Sequence, residues 1–175
     1  MTQRAPIPYD FLPQVPSFTV ESDDVAHGEP MGNAHVYNGM GMSGQNVSPH
    51  LRWSGYPAET RSFAVTCYDP DAPTTVGFVH WVLFNIDPRV DHLDEGAGVG
   101  DNNPSGSVHG FTDWGESQWG GCAPPPGDAP HRYQFTVWAL DTKLDLDETT
   151  TYAKFNFMTR GHVLAKGTLT GKYST

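Results

Sequence analysis

The sequence predicts a mainly β domain with long ordered loops, and three observations support that prediction. The chain of 175 residues holds 19 glycines and 15 prolines, which is unfavourable for a helical bundle. Aromatic residues reach 12%, too many for a disordered chain. Three nearly continuous apolar runs have the length of strands. No internal repeat interrupts the chain, so we expect one domain over residues 1–175, with 1–14 as an extended N-terminal arm.

The apolar runs lie at residues 62–68, 80–86 and 133–140. Both faces of each run are apolar, which is typical of inner strands that are covered on two sides. We therefore expect these three strands to form the centre of the core sheet. Weaker strand patterns occur at 17–20, 35–37, 51–53 and 167–169.

One helix is predicted at residues 151–164. Threonines 149–151 offer N-cap hydroxyls, and Tyr152, Phe155 and Met158 follow at helical spacing. A second, short helix is predicted at 87–94. Residues 97–130 show no period and are rich in glycine and proline, yet they contain Phe111, Trp114 and Trp119. Such a long loop with aromatic residues is typical of an ordered binding segment.

Charge and composition exclude several classes of function. The formal net charge is −10 and no basic run is present, so a nucleic-acid partner is not expected. No stretch of 18 apolar residues predicts a transmembrane segment, and the first 20 residues do not resemble a secretory signal. Two cysteines, Cys67 and Cys122, do not make a disulfide framework. These features predict a reduced, cytoplasmic protein.

Three clusters carry polar side chains at the ends of the predicted strands. The first is the turn Asp69-Pro70-Asp71-Ala72-Pro73, which is either a plain turn or a pair of carboxylates that orient a histidine or bind a cation. The second is His80, at the start of a core strand. The third is the glycine- and proline-rich loop of residues 120–130, followed by His131, Arg132 and Tyr133. Backbone amides, imidazole and phenol together suit a small anion.

These motifs resemble the phosphatidylethanolamine-binding protein family, in its bacterial and archaeal, Raf-kinase-inhibitor-like branch. The D-P-D-A-P turn, the G-x-x-H-W strand entry at 77–81 and the P-P-x-G loop before H-R-Y occur in the family's order. Residues 48–53, 113–115, 161–165 and 171–173 add to a resemblance that covers about residues 15–173. It implies an antiparallel β-sandwich with Greek-key connections, a few short peripheral helices and a small surface pocket for phosphate, phosphoryl headgroups or other small anions.

The resemblance also implies which residues form that pocket and which partners to expect. The ligand-binding positions are Asp69, Asp71, His80, Gly121, Ala123, Pro124, Pro125, His131 and Tyr133. The aspartates would support the histidines, and Ala123 would contribute its backbone N–H. No cofactor and no metal are implied. The same resemblance implies a kinase or protease as protein partner and assembly into a homodimer. Two departures concern the ligand: Cys122 replaces a loop proline, which we expect to loosen the rim, and Thr112 replaces an asparagine.

Two alternatives use the same residues. Two histidines, two aspartates and a tyrosine would suffice for acid–base chemistry, such as a cyclisation or isomerisation, with Cys122 the one conceivable nucleophile. A zinc or iron site could form from His80, His131, Asp69 and Asp71. We expect a binding protein rather than an enzyme. Because the chain is strongly acidic, we also expect weak anion binding that improves below about pH 6.5, where histidine protonates.

Overall fold

Two antiparallel sheets, one short α-helix and long loops form the protein. The computed structural model describes residues 4–175. Two 3₁₀ helices lie at Pro8–Phe11 and Asn33–His35, and the α-helix (α1) is Tyr152–Thr159. The strands are Thr19–Glu21 (β1), Leu51–Ser54 (β2), Ser62–Asp69 (β3), Phe78–Ile86 (β4), His92–Leu93 (β5), Val108–His109 (β6), His131–Leu140 (β7) and Val163–Tyr173 (β8).

The larger sheet has the strand order β6-β4-β3-β7-β8, and the smaller one has the order β1-β2-β5. Within the larger sheet, β3, β4 and β6 follow one another along the chain, and β7 returns to lie beside β3. This is the spatial order of a Greek key. The predicted mainly β, antiparallel sandwich is therefore confirmed.

The larger sheet is covered on both faces, which explains its continuous apolar strands. One face packs against the smaller sheet through a core that includes Phe63, Trp81 and Phe135 with Leu51 and Trp53. The opposite face packs against α1 and the N-terminal segment through a second core that includes Ala64, Trp138 and Phe155. Every residue of β3 is buried, as predicted for an inner strand.

Several predicted elements differ from the structure. The short helix predicted at 87–94 is wrong: a turn in which Val90 N–H donates to Asp87 C=O is followed by β5. A strand of two residues is too short to show a period. The strand predicted at 35–37 is also wrong, because a 3₁₀ helix ends at His35 and only Val36 forms a β-bridge, to Cys122.

The α-helix ends earlier than predicted, at Thr159 instead of residue 164. Gly161 adopts a φ of +84°, a left-handed conformation that stops a helix and that glycine accepts without strain. The chain then enters β8 at Val163, so β8 is far longer than the predicted 167–169. At the other end of α1, Thr151 is the N-cap and its hydroxyl accepts the Lys154 N–H, as predicted.

The N-terminal segment packs onto the second core. Tyr9, in the first 3₁₀ helix, is 6% exposed, and its ring lies edge-on to Trp138 with 5.5 Å between ring centroids. Of the arm predicted at 1–14, residues 1–3 lie outside the described part of the chain. The segment that follows contains a helical turn at Pro8–Phe11 and contacts the sheet.

Candidate functional site

A surface cavity of about 490 Å³ lies at one edge of the larger sheet. Antiparallel neighbours place the end of β3 beside the starts of β4 and β7. The cavity is lined by residues from these ends and from two loops, namely Met40, Gly41, Met42, Asp69, Ala72, Pro73, Thr74, Phe78, His80, Trp114, Ala123, Pro124, Pro125, Pro126, His131 and Tyr133. Seven of the nine predicted ligand-binding residues are among them, and Asp71 and Gly121 are not.

The turn between β3 and β4 sets the two carboxylates apart. Asp69 ends β3 and its Oδ1 accepts the Asp71 N–H at 2.8 Å, which closes the turn. Gly77, with a φ of +69°, leads the chain back into β4, and a Cβ there would overlap the carbonyl of Asp69. The turn therefore fixes Asp69 at the cavity and directs Asp71 away from it.

Asp71 forms an ion pair with Arg132 instead of lining the cavity. The Arg132 Nε donates to Asp71 Oδ2 at 2.7 Å, Nη2 donates to Oδ1 at 2.8 Å, and the Arg132 backbone N–H adds a third bond. Burial alone would raise the pKa of Asp71, but the bonds and charge of Arg132 outweigh it and lower the pKa. Asp71 thus ties the turn to the first residues of β7.

Asp69 holds His131 in the cavity wall. The His131 Nδ1 lies 2.7 Å from Asp69 Oδ2, and both side chains are 3% exposed. Burial by itself would lower the pKa of His131, yet the hydrogen bond and charge of Asp69, with Asp128 3.3 Å from Nε2, raise it. His131 is therefore easier to protonate than a free histidine, and its positive charge is matched by Asp69.

His80 has the opposite electrostatic character. It is 3% exposed, and its Nδ1 lies 2.7 Å from the Gly120 carbonyl, so Nδ1 carries the proton and donates. With that tautomer the Trp114 indole, 3.3 Å from the same nitrogen, packs against the ring without donating to it. Burial lowers the pKa of His80, which outweighs the negative charge of Asp69. His80 is neutral near pH 7, and Nε2 has no hydrogen-bond partner in residues 4–175.

The glycine- and proline-rich loop forms the opposite wall, where Ala123 and the prolines at 124–126 line the cavity. The N–H groups of Gly120, Gly121 and Cys122 donate to His80 C=O, to Asn46 Oδ1 and to His35 C=O respectively. The next N–H, that of Ala123, has no acceptor within the described chain. Residues 124–126 are prolines and have no N–H. Ala123 therefore offers the free backbone donor of this wall.

Cys122 neither loosens the rim of the cavity nor offers a nucleophile. Its side chain is fully buried in the core between the sheets, and it forms a β-bridge with Val36, so the loop is anchored here and not loosened. Burial raises the pKa of the Cys122 thiol well above its usual value. A buried, protonated thiol is not a nucleophile. Tyr133, beside it, has a buried hydroxyl with no hydrogen-bond partner in residues 4–175, and burial raises its pKa.

Sequence reasoning missed the apolar side of the cavity. Trp114 stacks on Tyr37 with 3.9 Å between ring centroids, and Met40, 83% exposed, lines the mouth. A Cβ at Gly120 would overlap the Trp114 ring, so that glycine is needed for the close packing. The tryptophan in the long loop was the available signal, since an aromatic residue there needs a packing partner.

The metal alternative is not supported by the arrangement of these groups. Asp71 is directed to Arg132, and in the described chain His80, His131, Asp69 and Asp71 do not form a group of converging ligand atoms. A different set, Asp24, His35 and Glu95, offers three potential ligand atoms within 4.8 Å of one another, and none of the three lines the cavity. No helix in residues 4–175 is long and apolar enough to cross a membrane.

Comparisons with known proteins agree with the fold and the motifs. The family model for phosphatidylethanolamine-binding proteins matches residues 21–174. Two UPF0098 proteins of Escherichia coli strain K12 are similar: YbcL is 43% identical over 166 residues, 93% of this chain and 91% of that protein, and YbhB is 44% identical over 155 residues, 87% and 98%. The crystal structure of E. coli YbcL, described as a new member of the mammalian PEBP family, has a TM-score of 0.88 at 43% identity, covering 91% of this chain and 99% of that chain. Because sequence and fold agree over almost its whole length, the chain belongs to the phosphatidylethanolamine-binding protein family.

Proposed function

We propose that the cavity binds a small anion, such as phosphate or a phosphoryl headgroup, without chemical turnover. The observation that carries this proposal is that His80 Nε2 and the Ala123 N–H, which belong to residues that line the cavity, are both without a hydrogen-bond partner in the described chain. A backbone N–H that lacks a partner can donate to a phosphate oxygen, and His80 Nε2 can do the same once it takes up a proton.

The charges around the cavity favour weak binding near pH 7. Asp69 compensates the charge of His131, and Asp71 compensates that of Arg132, so neither cation is free to attract an anion. The protein also carries a formal net charge of −10. Protonation of His80 would add the missing positive charge. Because burial lowers the pKa of His80 below the usual histidine value of about 6.5, we expect the affinity to rise only when the pH falls below that value.

Acid–base catalysis in the same cavity has one favourable feature, the Asp69–His131 pair. Two observations favour binding instead. The second nitrogen of His131 faces Asp128 at 3.3 Å, and the thiol of Cys122 is buried. A kinase or protease partner and a homodimer remain predictions that rest on the resemblance to the family, and a cytoplasmic location remains a prediction from the composition of the chain.

The test uses two matched variants of His80. In His80→Asn the amide nitrogen can still donate to the Gly120 carbonyl, as Nδ1 does, but nothing replaces Nε2. In His80→Gln the amide group reaches the position of Nε2. Isothermal titration with inorganic phosphate and with phosphoethanolamine at pH 5.5 and 7.5 would measure the affinities, with the exposed His162→Asn as control.

We expect His80→Asn to lower the affinity at pH 5.5 by at least about tenfold, which corresponds to roughly 1.4 kcal/mol. We expect His80→Gln to retain part of the affinity and to lose the part of the pH dependence that His80 contributes, since an amide does not titrate. Equal binding by the wild-type protein and His80→Asn at pH 5.5 would disprove the proposed role of Nε2.

A further inference from the structure

A second cavity lies on the other face of the larger sheet, between the N-terminal segment, the end of α1 and the strands β7 and β8. Its volume is about 580 Å³, within the range of about 300–1,000 Å³ that is typical of small-molecule sites. Trp138 lines it, whereas the first cavity is lined by His131 and Tyr133. Because side chains alternate along a strand, even-numbered and odd-numbered residues of β7 face opposite sides of the sheet. The two cavities are therefore separate.

The interior of this second cavity is apolar. Leu12, Pro13 and Val15 of the N-terminal segment line one side, and Val163 and the Trp138 ring line another. Trp138 is almost fully buried, and its Nε1 donates to the Thr66 hydroxyl at 3.0 Å. The indole therefore offers the cavity only its hydrocarbon surface, which suits an aliphatic or aromatic group.

The charged side chains at the cavity are both positive. Lys166 and Arg160 line it, and no aspartate or glutamate does. The side chains of Asn156 and Thr159 also line it, but each already donates within α1, to the Tyr152 and Phe155 carbonyls. The two cations thus supply the charged donors available to a ligand. This is unusual in a chain with 20 acidic and 10 basic side chains.

Lys166 is held at the cavity without a carboxylate partner. It is the cross-strand neighbour of Trp138, so both side chains lie on the same face of the sheet. Its Nζ donates to the Tyr9 carbonyl at 3.3 Å and lies 5.5 Å and 5.8 Å from the ring centroids of Tyr9 and Trp138. Burial lowers the pKa of Lys166, and the charge of Asp10 opposes this only in part. An anion at this place would compensate a charge that the described residues leave unpaired.

We propose that this cavity binds an amphipathic anion, an aliphatic carboxylate whose chain packs on Trp138 and whose carboxylate pairs with Lys166 and Arg160. The chemistry differs from that of the first cavity, where the charge of His131 is already paired with Asp69. Binding here does not depend on the anion site at His80.

Isothermal titration with sodium decanoate below its micelle concentration tests the proposal. The variants are Lys166→Met, which keeps most of the length of the side chain and removes its charge, and Lys154→Met as matched control. Lys154 is also a lysine, exposed on α1, and does not line the cavity. We expect saturable binding of one decanoate by the wild-type protein, a loss of about tenfold or more in Lys166→Met, and affinity within about twofold in Lys154→Met.

Two further measurements keep the test decisive. Amide shifts in ¹⁵N spectra should change at Gly161 and Val163 on adding decanoate and stay unchanged at Ala123, and 1-decanol should bind more weakly than decanoate. If Lys166→Met does not fold, as judged by circular dichroism, Arg160→Gln replaces it with the same expectation of weaker binding. Absence of saturable binding, equal losses in the two lysine variants, or shifts confined to Ala123 would overturn the proposal.

Discussion

The Asp69–His131 pair should stabilise the protein most strongly in mildly acidic solution. Burial opposes the charge of His131, but Asp69 and Asp128 raise its pKa above the value of about 6.5 that we take for the unfolded chain. A raised pKa in the folded state stabilises the fold fully below pH 6.5. The stabilisation is lost as the pH rises through the folded-state value, above 6.5.

The perturbation is Asp69→Asn. The amide can keep the bond from the Asp71 N–H, since its oxygen can replace Oδ1, but it cannot compensate the charge of His131. Hydrogen bonds to charged groups contribute roughly 1.5–3 kcal/mol, and a buried charge left alone costs roughly 3–5 kcal/mol. His131 can avoid the larger cost by losing its proton. We therefore expect Asp69→Asn to lower the free energy of unfolding by about 2–3 kcal/mol at pH 6.

Urea unfolding at pH 6 and pH 9, followed by tryptophan fluorescence, measures this free energy. As the pH rises through the raised pKa of His131 and the imidazole loses its proton in both proteins, we expect the difference to fall to about 1 kcal/mol, the contribution of an ordinary hydrogen bond. The control is Asp128→Asn, because Asp128 is half-exposed and 3.3 Å from Nε2, and should cost under about 1 kcal/mol at either pH. Equal losses for Asp69→Asn at the two pH values, or a loss in Asp128→Asn as large as in Asp69→Asn, would refute the reasoning.

Three other predictions concern residues around the site. Asp71→Asn should lower the free energy of unfolding by about 1–3 kcal/mol above pH 5. This difference from the wild-type protein should vanish as the pH falls through the depressed pKa of Asp71, because Arg132 then loses its charged partner in the wild-type protein too. Urea unfolding from pH 2 to 7 would measure it. In the native protein, Cys67 and Cys122 should not react with a thiol reagent at pH 8, whereas the unfolded protein should react at two thiols per chain. Rapid reaction of the native protein would contradict the burial of the two cysteines. Thr151→Ala should lower the free energy of unfolding by about 1 kcal/mol through loss of the N-cap, and an unchanged thermal midpoint would argue against that cap.

Much of the fold could be predicted because the burial of the inner strands is visible in the sequence as runs of apolar residues. A strand covered on both faces reads as an unbroken apolar run, and β3, β4 and β7 are such strands. β5 could not be found this way, since two residues carry no period. The end of α1 was missed because the residues after Gly161 continue an apolar pattern, although the glycine itself marks the stop.

Part of the candidate site could be predicted from the sequence, and part of it could not. Asp69, His80 and His131 were predicted because they lie at the ends of recognisable strands, in motifs that resemble a known family. The environment of Asp71 and Gly121 was not predictable, because their partners Arg132 and Asn46 are 61 and 75 residues away along the chain. The opposite pKa directions of His80 and His131 also arise from partners that no spacing reveals.

The pairing of β3 with β7 has a consequence for the order of folding events. Tyr68 pairs with Gln134, so the chain must close a loop of more than 60 residues before the two strands meet. Contacts so distant in sequence are typical of domains that fold in milliseconds to seconds. The first cavity needs the end of β3 and the start of β7 together, so it forms only after that closure. A ligand of this cavity should therefore slow unfolding and leave the rate of folding almost unchanged, because the collapsed chain before closure contains no site for it.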